Sequence, residues 1–152
     1  MWSTQEGWTG RRFQLGTKEV FDAEVFAIHQ ALRAIEQRQE RGHGYTIFVD
    51  STSAIDRVRD DELGPGQRFA VAAIEVCNRI ITNDNSVTIR WVPAHSGATG
   101  NEVADKYAKS AATREESVEA LPEGYGTETS LSHMTRVATE ARSKEKIGRA
   151  HV

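Results

Sequence analysis

The chain has 152 residues, 27% charged and 38% hydrophobic, enough for one domain with a core of its own. No apolar run approaches the roughly 20 residues of a membrane span. The N-terminus lacks the basic-then-apolar profile of a secretory signal. A lone cysteine, Cys77, excludes an internal disulfide framework and suits a reducing, intracellular compartment. The net charge of −3 comes with no basic block, so a nucleic-acid partner is not announced by charge. Any such binding has to rest on a local patch, a metal or another domain.

Residues 1–19 are polar and Gly-rich, with one short strand candidate at Arg11–Leu15. From Phe21 to about Arg41 the spacing of Phe21, Val25, Ile28, Leu32 and Ile35 predicts a long helix, ended by Gly42. Tyr45–Val49 is a short run of β-formers and reads as a buried strand. Ser51–Val58 reads as a short helix with Ser51 or Thr52 as N-cap. Asp60–Gln67 is a loop. Phe69–Ile81 is a second apolar helix with Phe69, Ala73, Val76 and Ile80 on one stripe, and Cys77 beside it is a small core residue rather than a nucleophile. Asn83–Ser86 is a turn, and Val87–Val92 a strand in which Val87, Ile89 and Trp91 alternate with Thr88 and Arg90. Asn101 caps a last helix that runs to about Ala112.

This order predicts an α/β domain over residues 1–113 with parallel strand pairing. Residues 114–129, acidic and holding Pro122, Gly124 and Gly126, read as a linker. Residues 130–152 form a tail whose Leu131, Met134, Val137, Ala138 and Ala141 recur at helical spacing. There is no internal repeat.

Four residues stand out chemically. Glu24 shares a helix stripe with Ile28, Ala31 and Ile35, where an acid is costly unless paired or bound to a metal. It also reads as a boundary acid favoured near a helix N-terminus. Asp50 ends the strand Tyr45–Val49, at the edge where sites gather in open parallel sheets. A turn or helix cap uses Asp there just as well. Asp105 lies in the first turns of its helix, one and two turns before Ala108 and Ala112, small residues that allow close approach to the sheet. The alternative is an acid complementing the helix dipole. His95 sits between Pro93 and Gly97 in a polar loop. It is either a surface residue or a group that moves a proton or helps product leave.

Three acids and a histidine suit phosphodiester chemistry. Two Mg²⁺ ions about 3.5–4 Å apart can activate a water and stabilise the leaving oxygen, and Mg²⁺ prefers carboxylate oxygen. Cys/His zinc spacing, a P-loop, a dinucleotide Gly motif and Gly-x-Ser-x-Gly are all absent.

Taken together, Phe-Asp-Ala-Glu24-Val-Phe-Ala-Ile, Ile-Phe-Val-Asp50-Ser and Val-Pro-Ala-His95-Ser-Gly-Ala-Thr-Gly-Asn-Glu-Val-Ala-Asp105-Lys resemble type 1 ribonuclease H. The flavour is that of non-LTR retrotransposon polyproteins, and the match covers about residues 10–113. The stretch Thr-Ser-Leu-Ser-His-Met-Thr-Arg-Val-Ala-Thr-Glu-Ala-Arg resembles the segment C-terminal to this domain in such polyproteins. The resemblance implies a three-layer fold with a mixed central sheet flanked by helices. It implies Mg²⁺-dependent, or Mn²⁺-dependent, cleavage of the RNA strand of RNA–DNA hybrids. By position, Glu24, Asp50 and Asp105 would hold two metals, with Asp50 bridging them, and His95 would assist turnover. An upstream reverse-transcriptase domain is an implied partner.

The chain departs from the family at its start. The family opens on a mid-sheet strand bearing another Asp, and nothing before Glu24 offers one, since Asp22 belongs to the helix start. The sequence therefore predicts missing N-terminal strands, exposed strand edges, one weakened metal site, and a chain that on its own is weakly active or inactive. The rival reading is a fold remnant that binds nucleic acid or protein without catalysis. A third, an integrase or resolvase relative, fits the His-Ser-Gly-x-x-Gly-Asn-Glu-x-x-Asp spacing poorly. Arg57, Arg59, Arg68, Lys106 and Lys109 are candidate phosphate contacts or, more simply, solvated charges.

Overall fold

A computed structural model describes residues 2–4, 7–13, 15, 20–60, 66–95, 97–113 and 119. The order is β1 (Trp2–Thr4), β2 (Gly7–Thr9), α1 (Val20–Glu36), β3 (Gly44–Val49), α2 (Thr52–Arg59), α3 (Gln67–Thr82), β4 (Ser86–Trp91) and α4 (Thr99–Thr113). β1 and β2 form an antiparallel hairpin, and β3 and β4 pair in parallel with Ile47 opposite Ile89. The fold is α/β, as expected. The expected single mixed sheet is instead two separate two-stranded sheets among the described residues.

The core lies where helical periodicity puts it. On α1, Val25, Phe26, Ile28 and Leu32 are buried, and on α3 Phe69, Ala70, Ala73, Val76 and Ile80. These two stripes meet, and Ala54 of α2 completes the cluster. Phe26 sits between Phe13 and Phe69, each ring centroid 5.3 Å away at a steep angle, the edge-to-face geometry that aromatic quadrupoles favour. Gly66 starts α3 at φ 70°, and a Cβ there would stand 3.1 Å from the Phe21 ring and 3.3 Å from Val25. Both the backbone and the space therefore require glycine.

Under the helices lies one face of the β3–β4 pair. Ile47, Val49, Val87 and Ile89 pack on the core, while Thr46, Phe48, Thr88 and Arg90 point outward and are exposed. Parallel strands are ordinarily covered on both faces; here the second face is open, with Phe48 64% exposed.

Several local expectations need correction. Among the described residues of 11–15 no strand forms; Phe13 makes one parallel bridge, to Glu119, and the hairpin lies earlier. α1 ends at Glu36, not near Arg41. The bonds Arg38 N–H to Ile35 and Gln39 N–H to Glu36 tighten its end, and Gln39 turns the chain at φ 55°. Trp91 is exposed because it is the last residue of β4, beyond the helices' cover. Asn101 is not a cap. The N–H groups of Asn101 and Glu102 both bond Ala98, so the helix starts ahead of it. The inward face of α4 carries Ala111, not Ala108 or Ala112, which are exposed. Glu119, placed in the expected linker, is bound back to Arg11. The rest of that linker and the tail helix lie outside the described residues. No helix among the described residues is long and apolar enough to cross a membrane.

His29 is a buried titratable group that periodicity does not reveal; it is 2% exposed on the α1 face that meets α3. Burial lowers its pKa, the charges of Arg33 and Arg79 lower it further, and Glu36 opposes them. The unfolded chain therefore binds the proton better. Stability should be full above about pH 6.5 and fall as pH drops below that value toward the lowered one. Urea midpoints at about pH 7 and pH 5 should differ less in His29→Gln than in the parent; equal differences would rule His29 out as the source.

Candidate active site

The carboxyl end of β3 brings two of the four singled-out positions, Glu24 and Asp50, to one short stretch, Asp50-Ser51. Asp50 follows the strand directly and is exposed. Its carbonyl accepts from the Trp91 indole Nε1 at 3.3 Å, tying the end of β3 to the end of β4. Its carboxylate Oδ2 accepts from Asn101 Nδ2 at 3.2 Å, which brings the first turn of α4 to the same place.

Ser51 works in two directions. Its Oγ accepts from the Ala54 N–H at 3.3 Å, capping α2, and donates to Glu24 Oε2 at 2.6 Å. Glu24, half-buried on α1, is thereby aimed at the β3 end. The capping role expected of Ser51 is real, and the bond to Glu24 is the part sequence reasoning missed. A hydroxyl next to Asp50 was its only available signal.

Asp105 lies one turn beyond Asn101. Its Oδ2 accepts from Lys109 Nζ at 2.6 Å. That hydrogen bond, against desolvation, together with the charges of Lys109 and His95, holds the Asp105 carboxyl below its ordinary value. His95 is exposed, in a turn at φ 52°. Of the candidate phosphate contacts, Lys109 is thus engaged with an acid of the site.

Carboxylate oxygen is the right donor chemistry for a hard divalent cation. As arranged, though, no three His, Cys, Asp or Glu side chains among the described residues converge as a metal-binding set. Glu24 and Asp50 are linked through Ser51, whereas Asp105 is occupied by Lys109.

An α/β fold with two linked acids, Glu24 and Asp50, at the end of a parallel strand pair is the class these features define. The RNase H family model matches residues 7–113, more than two thirds of the chain. The chain belongs to the ribonuclease H family. Comparison with curated proteins gives no match.

Proposed function

We propose that this chain is a metal-dependent ribonuclease H that hydrolyses the RNA strand of RNA–DNA hybrids. The observation that carries this reading is the meeting of α1, β3 and α4 at Asp50-Ser51, within a chain of that family. Glu24, Asp50 and Asp105 are the proposed ligands of Mg²⁺ or Mn²⁺. When bound, such an ion supplies a more acidic water and positive charge for the leaving oxygen. Ser51 orients Glu24 and Asn101 orients Asp50; His95 is the proposed group that moves a proton during turnover. The retrotransposon polyprotein setting and an adjoining reverse-transcriptase domain belong to the same proposal and rest on motif resemblance alone.

A second reading is favoured by one observation, the Lys109–Asp105 ion pair, which engages one of the proposed ligands with a lysine of its own helix. On that reading the chain binds hybrid without cutting it. A labelled RNA–DNA hybrid separates the two. The nuclease reading expects slow cleavage of the RNA strand that needs Mg²⁺ or Mn²⁺ and stops with chelator, while single-stranded RNA and duplex DNA stay intact. Binding without cleavage by a folded chain would replace it with the binding-module reading. Neither binding nor cleavage would defeat both.

A further inference from the structure

α4 carries Asn101 and Asp105, yet it stands apart from the α1–α2–α3 core. Two residues of the N-terminal segment, Trp8 and Arg12, lie against it. At its first turn, Gly100 lies against the Trp8 indole. A Cβ on Gly100 would be 2.6 Å from Trp8 Cη2 and 3.1 Å from Cζ3, so with the indole seated where it is, any side chain at position 100 would have to displace it. Gly100 lies within a right-handed helix and is not among the positive-φ glycines. Conformation therefore does not call for glycine here; the close seat of the Trp8 indole does. Midway along α4, the Arg12 guanidinium stacks 3.9 Å from the Tyr107 ring centroid, a cation–π contact. Beyond its end, Arg11 forms a bidentate ion pair with Glu119. The first two contacts fall at the start and the middle of one helix, and the residue after Gly100 is the one that donates to Asp50.

We propose that Trp8 is a positioning residue of the site: its indole, seated on the bare backbone of Gly100, sets how closely the first turn of α4 approaches the end of β3, and so holds Asn101 on Asp50. The functional meaning of this rests on the nuclease reading, but the contact does not. Helix propensity argues the opposite way at this position, since alanine is a better helix former than glycine. That opposition gives the test its sign.

The experiment is a double-mutant cycle on Trp8→Ala and Gly100→Ala, read by thermal melts and by the side-chain amide resonance of Asn101. Asp50→Ala marks where that resonance lies without its acceptor. In the parent, Gly100→Ala should lower the melting temperature by about 3–6 °C and move the Asn101 resonance toward the Asp50→Ala position. With Trp8→Ala already present, Gly100→Ala should raise the melting temperature instead. If Gly100→Ala alone fails to fold, the double variant should fold. A half-exposed indole that simply swings aside would leave the sign unchanged between backgrounds, and that result overturns the proposal. Sign reversal with an unmoved Asn101 resonance also overturns it, reducing Trp8 to packing. No cleavage is read in this test, so failure of the nuclease reading would appear only in the hybrid assay.

Discussion

Replacing Phe26 with alanine should cost about 3–5 kcal/mol of folding stability, the range for losing a buried phenylalanine. Phe26 is 2% exposed and touches both neighbours of the aromatic cluster, Phe13 from the N-terminal segment and Phe69 from α3. Its removal deletes two edge-to-face contacts and leaves a hole lined by rigid helices that cannot close fully. Domains of this size hold only about 5–15 kcal/mol in total, so the variant should sit close to the unfolding threshold. Urea denaturation of parent and variant measures it. The matched control is Phe48→Ala on the open face of β3, where the ring is 64% exposed and the expected change is within about 0.5 kcal/mol. A loss below about 1 kcal/mol at Phe26 would mean that the cluster does not organise the core.

Asp50→Asn should remove hybrid cleavage while leaving the fold alone. The amide oxygen of an asparagine can still accept from Asn101 Nδ2, and the Asp50 backbone carbonyl that receives the Trp91 indole is untouched. Stability should therefore change by no more than about 0.5 kcal/mol. What is lost is the negative charge at the point where α1, β3 and α4 meet. Changing the outer partners of metal sites already costs about 10–100-fold, so losing a ligand should lower the cleavage rate by at least roughly 100-fold. Cleavage that persists in folded Asp50→Asn would place the chemistry elsewhere on the chain.

Much of this architecture is legible in the residues. The stripe Phe69, Ala73, Val76 and Ile80 is buried as its spacing predicts, because a helix turns its 3.6-residue period into one face whatever lies opposite. The strand over Tyr45–Val49, the Ser51 cap and the parallel partner at Val87 follow from equally local rules. Asp50 at a strand end is legible for the same reason, since strand and turn signals meet at that residue.

Other features were not legible, and each depends on a distant residue. Asn101 has the chemistry of a cap, yet its side chain goes to Asp50, 51 positions away. Glu119 has the company of a linker, yet it pairs with Arg11, 108 positions away. His29 has a helical position like many others and becomes a buried titratable group only where α3 closes over it. Local sequence thus determined the four helices, β3 and β4, their polarity and the acids worth attention, because backbone propensity and periodicity act within a few residues. Tertiary structure alone decided that the described strands form two sheets rather than one, that Ser51 joins Glu24 to Asp50, and that α4 rests on Trp8. Burial, steric fit and hydrogen-bond partners are properties of pairs that the chain brings together only on folding.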